Sequence, residues 1–162
     1  MEQTACQHCG GASQGLVCAF CGTLLNPTQD AATEEHALND FHGLLVTATP
    51  EKQARLLRHG FLPDSPQVLI EAGLRTMLLL RTDSAFSEVA AGAAGRLRTL
   101  GSKLRVLPET DESRRALKEF DAALREHESA DATNTRQAFT FVGIVLAIIV
   151  AAIWYLVSWV TK

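Results

Sequence analysis

"CQHCGGASQGLVCAFCG", residues 6–22, holds two copies of the unit Cys-x2-Cys-Gly, separated by residues 11–17. All four cysteines of the chain lie here. Two Cys-x2-Cys turns offer four thiolates to a single ion and leave no open coordination position, which is how a structural zinc is held. The connection between the turns is long enough for a short hairpin that brings them together. Gly10 and Gly22 follow the second cysteine of each turn, where the chain bends tightly and a residue tolerant of positive φ is favoured. Gly11, Ser13 and Gly15 add turn chemistry, and Leu16, Val17 and Phe20 are candidates to pack beside the metal.

The residues that surround this stretch narrow its chemistry. The first basic residue is Lys52, whereas Glu2, Asp30, Glu34, Glu35, Asp40 and Glu51 all precede it. A module that follows a phosphate backbone needs Lys and Arg, so nucleic-acid binding is not expected. The opening MEQTACQHC has neither a basic region nor an apolar leader, and the expectation is a reducing cytosol. In that compartment the spacing reads as metal ligation before disulfides. An iron-bound form of the same sulfur tetrahedron and a redox Cys-x2-Cys pair remain as alternatives, and a catalytic zinc ranks below them because four cysteines leave no place for substrate.

The stretch from about residue 4 to 25 resembles the short zinc ribbons found at the N-termini of many prokaryotic membrane and regulatory proteins. That resemblance implies one structural zinc bound by Cys6, Cys9, Cys18 and Cys21, with a structural or protein-binding role. His8 stands where the pattern needs no ligand and is expected to face solvent or support the ligands from outside.

Beyond Asn26-Pro27 the periodicity is helical, and no stretch alternates in the manner of a sheet. Leu38, Phe41, Leu45 and Ala48 form one apolar stripe. Thr49-Pro50 and Ser65-Pro66 each read as an N-cap followed by a first-turn proline, Ser84 and Thr110 as further caps, and Gly60 and Pro108 as stops. The helix after Ser65 is apolar enough to be expected as the most buried, and Leu117, Phe120 and Leu124 mark the inner face of the last. The chain thus divides into a ribbon over 1–27, an α-helical cytosolic bundle over 28–130, a polar linker over 131–138 and an apolar segment over 139–160.

That last segment, FTFVGIVLAIIVAAIWYLVSWV, carries no charge, and at about 1.5 Å per residue it would extend about 33 Å. It predicts a single transmembrane helix near the C-terminus. The expected fold is therefore mainly α, with a zinc ribbon, a helical bundle and one membrane span. The location that follows is a single-pass membrane protein with its N-terminal domain in the cytosol and its C-terminus outside. Gly143, Ala147 and Ala151 share one face and are candidates for helix pairing, hence for a homo-oligomer.

Candidate sites in the helical region are few. Arg96, Arg98, Lys103 and Arg105 form a basic run with no acid between Glu88 and Glu109, expected to be a solvated face or a patch for anionic headgroups or an acidic partner. GRLRTLGSK lacks the order of a phosphate-binding loop. His36 and Asp40 stand four apart, and they, His42, His59 and His127 read as surface residues. Gly92, Gly95 and Gly101 mark close packing or a kink. With no nucleophile–base constellation, the expected function is a non-enzymatic, membrane-anchored, zinc-binding scaffold for a protein partner. A zinc- or redox-responsive regulator is the alternative, and an enzyme in the helical region ranks behind both.

Overall fold

The computed structural model describes residues 4–25, 30–83, 87–130 and 132. It begins with a two-stranded antiparallel ladder, β1 (Thr4–Ala5) and β2 (Ala12–Ser13), in the register Thr4↔Ser13 and Ala5↔Ala12. Five helices follow among the described residues: α1 (Ala31–Thr47), α2 (Pro50–His59), α3 (Pro66–Thr82), α4 (Glu88–Val106) and α5 over 111–130. Met1–His127 forms one compact unit.

The helix starts follow local chemistry. Asp30 caps α1, its carboxylate accepting from Thr33 N at 2.7 Å. Pro50 and Pro66 open α2 and α3 as first-turn prolines, but neither Thr49 nor Ser65 makes a side-chain cap bond. At α3 a distant residue meets the free amides instead. Glu34 of α1, 4% exposed, accepts from Asp64 N at 2.9 Å and Ser65 N at 2.8 Å. A carboxylate at a helix N-terminus also complements the helix dipole. The cap of α4 is Ser87, which accepts from Ala90 N; Ser84 lies outside the described residues. Thr110 and Ser113 cap α5 reciprocally, each hydroxyl accepting from the other's backbone amide.

The core gathers Phe41, Leu56, Leu57, Leu69, Leu97, Leu100 and Phe120 from all five helices. α4 occupies its centre, packing against both α2 and α3. It has buried positions from Val89 to Leu104 and leaves Val106 exposed, while α3, expected to be the most buried helix, leaves Leu74 and Leu78 exposed. Small residues let α4 lie close to its neighbours. A Cβ on Gly92 would stand 3.1 Å from Ala54 O of α2, so the bare glycine lets the two helices approach.

The fold class is corrected in its membrane part. Among the described residues no helix is long and apolar enough to cross a membrane. The two most apolar helices both carry charges: α1 has Glu34, Glu35 and Asp40, and α3 has Glu71, Arg75 and Arg81. Both are amphipathic elements of a packed bundle. The segment 139–160, with Gly143, Ala147 and Ala151, lies outside the described residues, as does the linker 131–138 apart from residue 132. Neither a single-pass architecture nor a membrane location is carried forward.

Candidate metal centre

The two Cys-x2-Cys-Gly units fold into knuckles with the same backbone bonding. In the first, Cys6 N donates to Gly11 O at 2.9 Å and Gly10 N to Cys6 O at 2.8 Å; in the second, Cys18 N donates to Thr23 O and Gly22 N to Cys18 O, both at 2.8 Å. Gly10 and Gly22 take φ of 73° and 74°, the left-handed conformation that a side chain disfavours. The sequence signal therefore had a structural cause at both positions.

This geometry brings Cys6, Cys9, Cys18 and Cys21 together, with the four sulfurs all within 4.8 Å of one another. Cys6 Sγ lies 3.7 Å from Cys21 Sγ, and Cys9 Sγ lies 3.7 Å from Cys18 Sγ. Sulfurs around one tetrahedral ion at a bond length of about 2.3 Å stand about 3.8 Å apart. The cluster is positioned to hold a single metal ion. His8 is exposed and outside it.

Groups around the sulfurs favour the thiolate form. Phe20 N donates to Cys18 Sγ at 3.4 Å, and the Thr23 hydroxyl lies 2.7 Å from Cys21 Sγ and 3.6 Å from Cys6 Sγ, placed to donate to either. The amide of Cys9, then the Thr23 hydroxyl and the amide of His8, lower Cys6 to about 6. Cys9 moves the other way. The amide of Gly11 pulls it down, but Cys21, partial desolvation, Cys18 and Cys6 together outweigh that and push it up to about 12. At Cys18 burial raises the pKa, and the amides of Cys21 and Phe20 with the neighbouring thiols outweigh it, so the net shift is downward. Four negative charges this close repel, and a dication relieves the repulsion by ligating all four.

The knuckles differ in what lies behind them. The first faces outward: Cys9 is exposed, and a Cβ on Gly10 would meet nothing within 4 Å. The second is set into the helical core. Cys18 is fully buried, Gly22 is buried, and a Cβ on Gly22 would lie 2.9 Å from both Leu56 Cδ2 and Phe41 Cε2. Gly22 O also accepts from Phe61 N at 2.7 Å. Val17, 3% exposed, joins the main core, with Leu16 and Leu24 packed against it. Phe20 lies over Gly11, whose missing side chain makes room for the ring, yet remains 54% exposed.

The basic run does not form one patch. Arg96 is 4% exposed; its Nη1 donates to Gly60 O at 3.5 Å, its Nη2 donates to Phe61 O, and its guanidinium lies 4.4 Å from the centre of the Phe41 ring. Burial lowers Arg96 to about 10, so it stays charged at neutral pH. Lys103 pairs with Asp64 and Arg105 with Asp121, both at 2.6 Å, while Arg98 is exposed. Arg96, expected on a solvated face, is instead drawn inward by the carbonyls of Gly60 and Phe61 and by the face of Phe41.

The histidines offer no second site. His36, His59 and Asp40 are exposed, and His127 is half-buried. His42 is half-buried too, and burial, then the charge of Arg75, hold its pKa below the usual histidine value. Among the described residues the four cysteines are the only group of metal-ligating side chains so arranged. No protein-family model matches the sequence, and neither a curated protein nor a solved structure matches it.

Proposed function

We propose that this chain is a non-catalytic protein-interaction module whose ribbon is organised by one structural zinc. The observation that carries this reading is the all-sulfur donor set at tetrahedral spacing, which leaves no coordination position for a substrate. Zinc fits the donors better than harder cations, which prefer oxygen. Support for an interaction role comes from the surface that the metal stiffens. Residues 4–25 contain no Asp, Glu, Lys or Arg, and this uncharged surface displays Phe20 on a metal-fixed knuckle. A rigid, exposed aromatic is the kind of residue that anchors a protein interface at low entropic cost.

The test uses full-length protein. About one zinc per chain is expected by elemental analysis. A partner retained by the wild type and released by Phe20→Asp, with zinc content unchanged, supports the proposal; a metal other than zinc, or equal partner retention, contradicts it. A second reading, a redox-responsive regulator, rests on the exposure of Cys9. It expects Cys9 to react with an alkylating agent without a chelator, whereas a purely structural site resists until the metal is removed.

A further inference from the structure

We infer that the cleft between the end of α2 and the middle of α4 binds a small oxyanion of the phosphate or carboxylate type, received by Arg58 and Arg96. The cleft has a volume of about 200 Å³ and is lined by Leu57, Arg58, Gly60, Leu62, Arg96 and Thr99, with Gly95 at its side. Two arginines and one threonine are the polar residues of its lining, and among the described residues no Asp or Glu lines it.

Arg96 is a buried cation in the wall of this cleft. A buried cation is costly unless an anion or a full set of hydrogen bonds replaces its water. Among the described residues Arg96 has no carboxylate partner; its contacts are the carbonyls of Gly60 and Phe61 and the face of Phe41. A guanidinium has five N–H donors, so these two carbonyls leave others unused. The charge is held in place, next to open space, without a counter-charge.

Arg58 supplies the second cation. Its partner is Glu88, at 3.7 Å, with both side chains largely solvated at 49% and 74% exposure. An ion pair this long and exposed contributes little and exchanges readily. Two guanidiniums beside one cleft match the planar, multidentate hydrogen bonding of phosphate and carboxylate oxygens. Gly95 leaves the space open, since a Cβ there would meet nothing within 4 Å. Leu57 and Leu62 give it apolar walls for the remainder of a small ligand.

The experiment titrates inorganic phosphate, and separately acetate, into zinc-loaded full-length protein at constant ionic strength, following the arginine Nε–Hε resonances by NMR. Saturable shifts at Arg58 and Arg96 are expected. Saturation with phosphate alone assigns a phosphate-bearing ligand, and saturation with both probes assigns the broader oxyanion class. Arg96 also fastens the loop after α2, so its replacement is not the informative variant. Arg58→Gln should weaken binding at least tenfold. Gly95→Met, which fills the cleft from an open helical position, should abolish it while leaving the melting temperature unchanged or higher. Shifts that do not saturate, saturation with acetate alone at the same value in Gly95→Met, or phosphate binding unaffected by Gly95→Met would each overturn the assignment.

Discussion

The two knuckles have the same backbone hydrogen bonds and the same glycine conformation, yet one faces solvent and the other is part of the helical core. Metal-ligand geometry sets the shape of a knuckle; the second shell and the surrounding packing decide what the rest of the protein gains from it. Because Gly22 sits against Phe41 and Leu56 and bonds to Phe61, a metal held by the four cysteines would fix a wall of the core together with the second knuckle. In the first knuckle Cys6 is buried, but Cys9 is exposed and no side chain stands against Gly10.

The largest expected difference lies in the cysteines. Cys18→Ser removes a fully buried ligand, and because a four-sulfur site provides on the order of 10 kcal/mol, the variant should lose its metal and much of its helical signal. Cys9→Ser, at an exposed ligand, should keep weak metal binding and a cooperative melting transition at lower temperature. Elemental analysis and circular dichroism on the pair decide this, and equal loss would remove the distinction between the knuckles.

The glycines give a smaller and cleaner contrast. Gly10→Ala and Gly22→Ala both place a side chain in the left-handed region, at about 1–2 kcal/mol. Only Gly22→Ala also collides with Leu56 and Phe41, which adds about 1–3 kcal/mol of overpacking. Denaturant unfolding should therefore show the larger drop for Gly22→Ala, and equal drops would mean that the docking carries no energy.

Thr23 sharpens the comparison at the metal itself. Its counterpart in the first knuckle is Gly11, which has no hydroxyl to offer. Thr23→Val should weaken metal binding about tenfold, within the range for lost outer hydrogen bonds, as read by competition with a chromophoric chelator. The smallest effect belongs to a glycine outside both knuckles. Gly95→Ala, with open space at its Cβ, should stabilise α4 by up to about 1 kcal/mol, seen as a modest rise in melting temperature.

Which of these features could be read from the sequence follows from how local each one is. The clustering of the four cysteines was legible because tetrahedral sulfur coordination demands fixed spacing, and Gly10 and Gly22 were legible because the turn demands positive φ. Pro50 and Pro66 marked helix starts through their fixed φ, and Leu38, Phe41 and Leu45 marked an inner face through periodicity. Features made by two distant elements were not legible. Glu34 was only one of the acids that precede Lys52, and its partners are amides thirty residues further on. Arg96 looked like part of a basic face, and its partners lie in the loop after α2. Close packing or a kink was legible at Gly92, Gly95 and Gly101, but that Gly92 packs against Ala54 of α2 was not. The docking of Gly22 on Phe41 left no pattern in either stretch alone.

The most direct test of the account is hydrogen exchange on full-length protein with and without a chelator, read at the amide of Phe61 and along α2. The account predicts that metal removal strips protection from Phe61 and from the Leu56–Leu57 end of α2 together with the ribbon, because Gly22 loses its fixed position. Loss of protection confined to residues 4–25, with Phe61 and α2 unchanged, would contradict it.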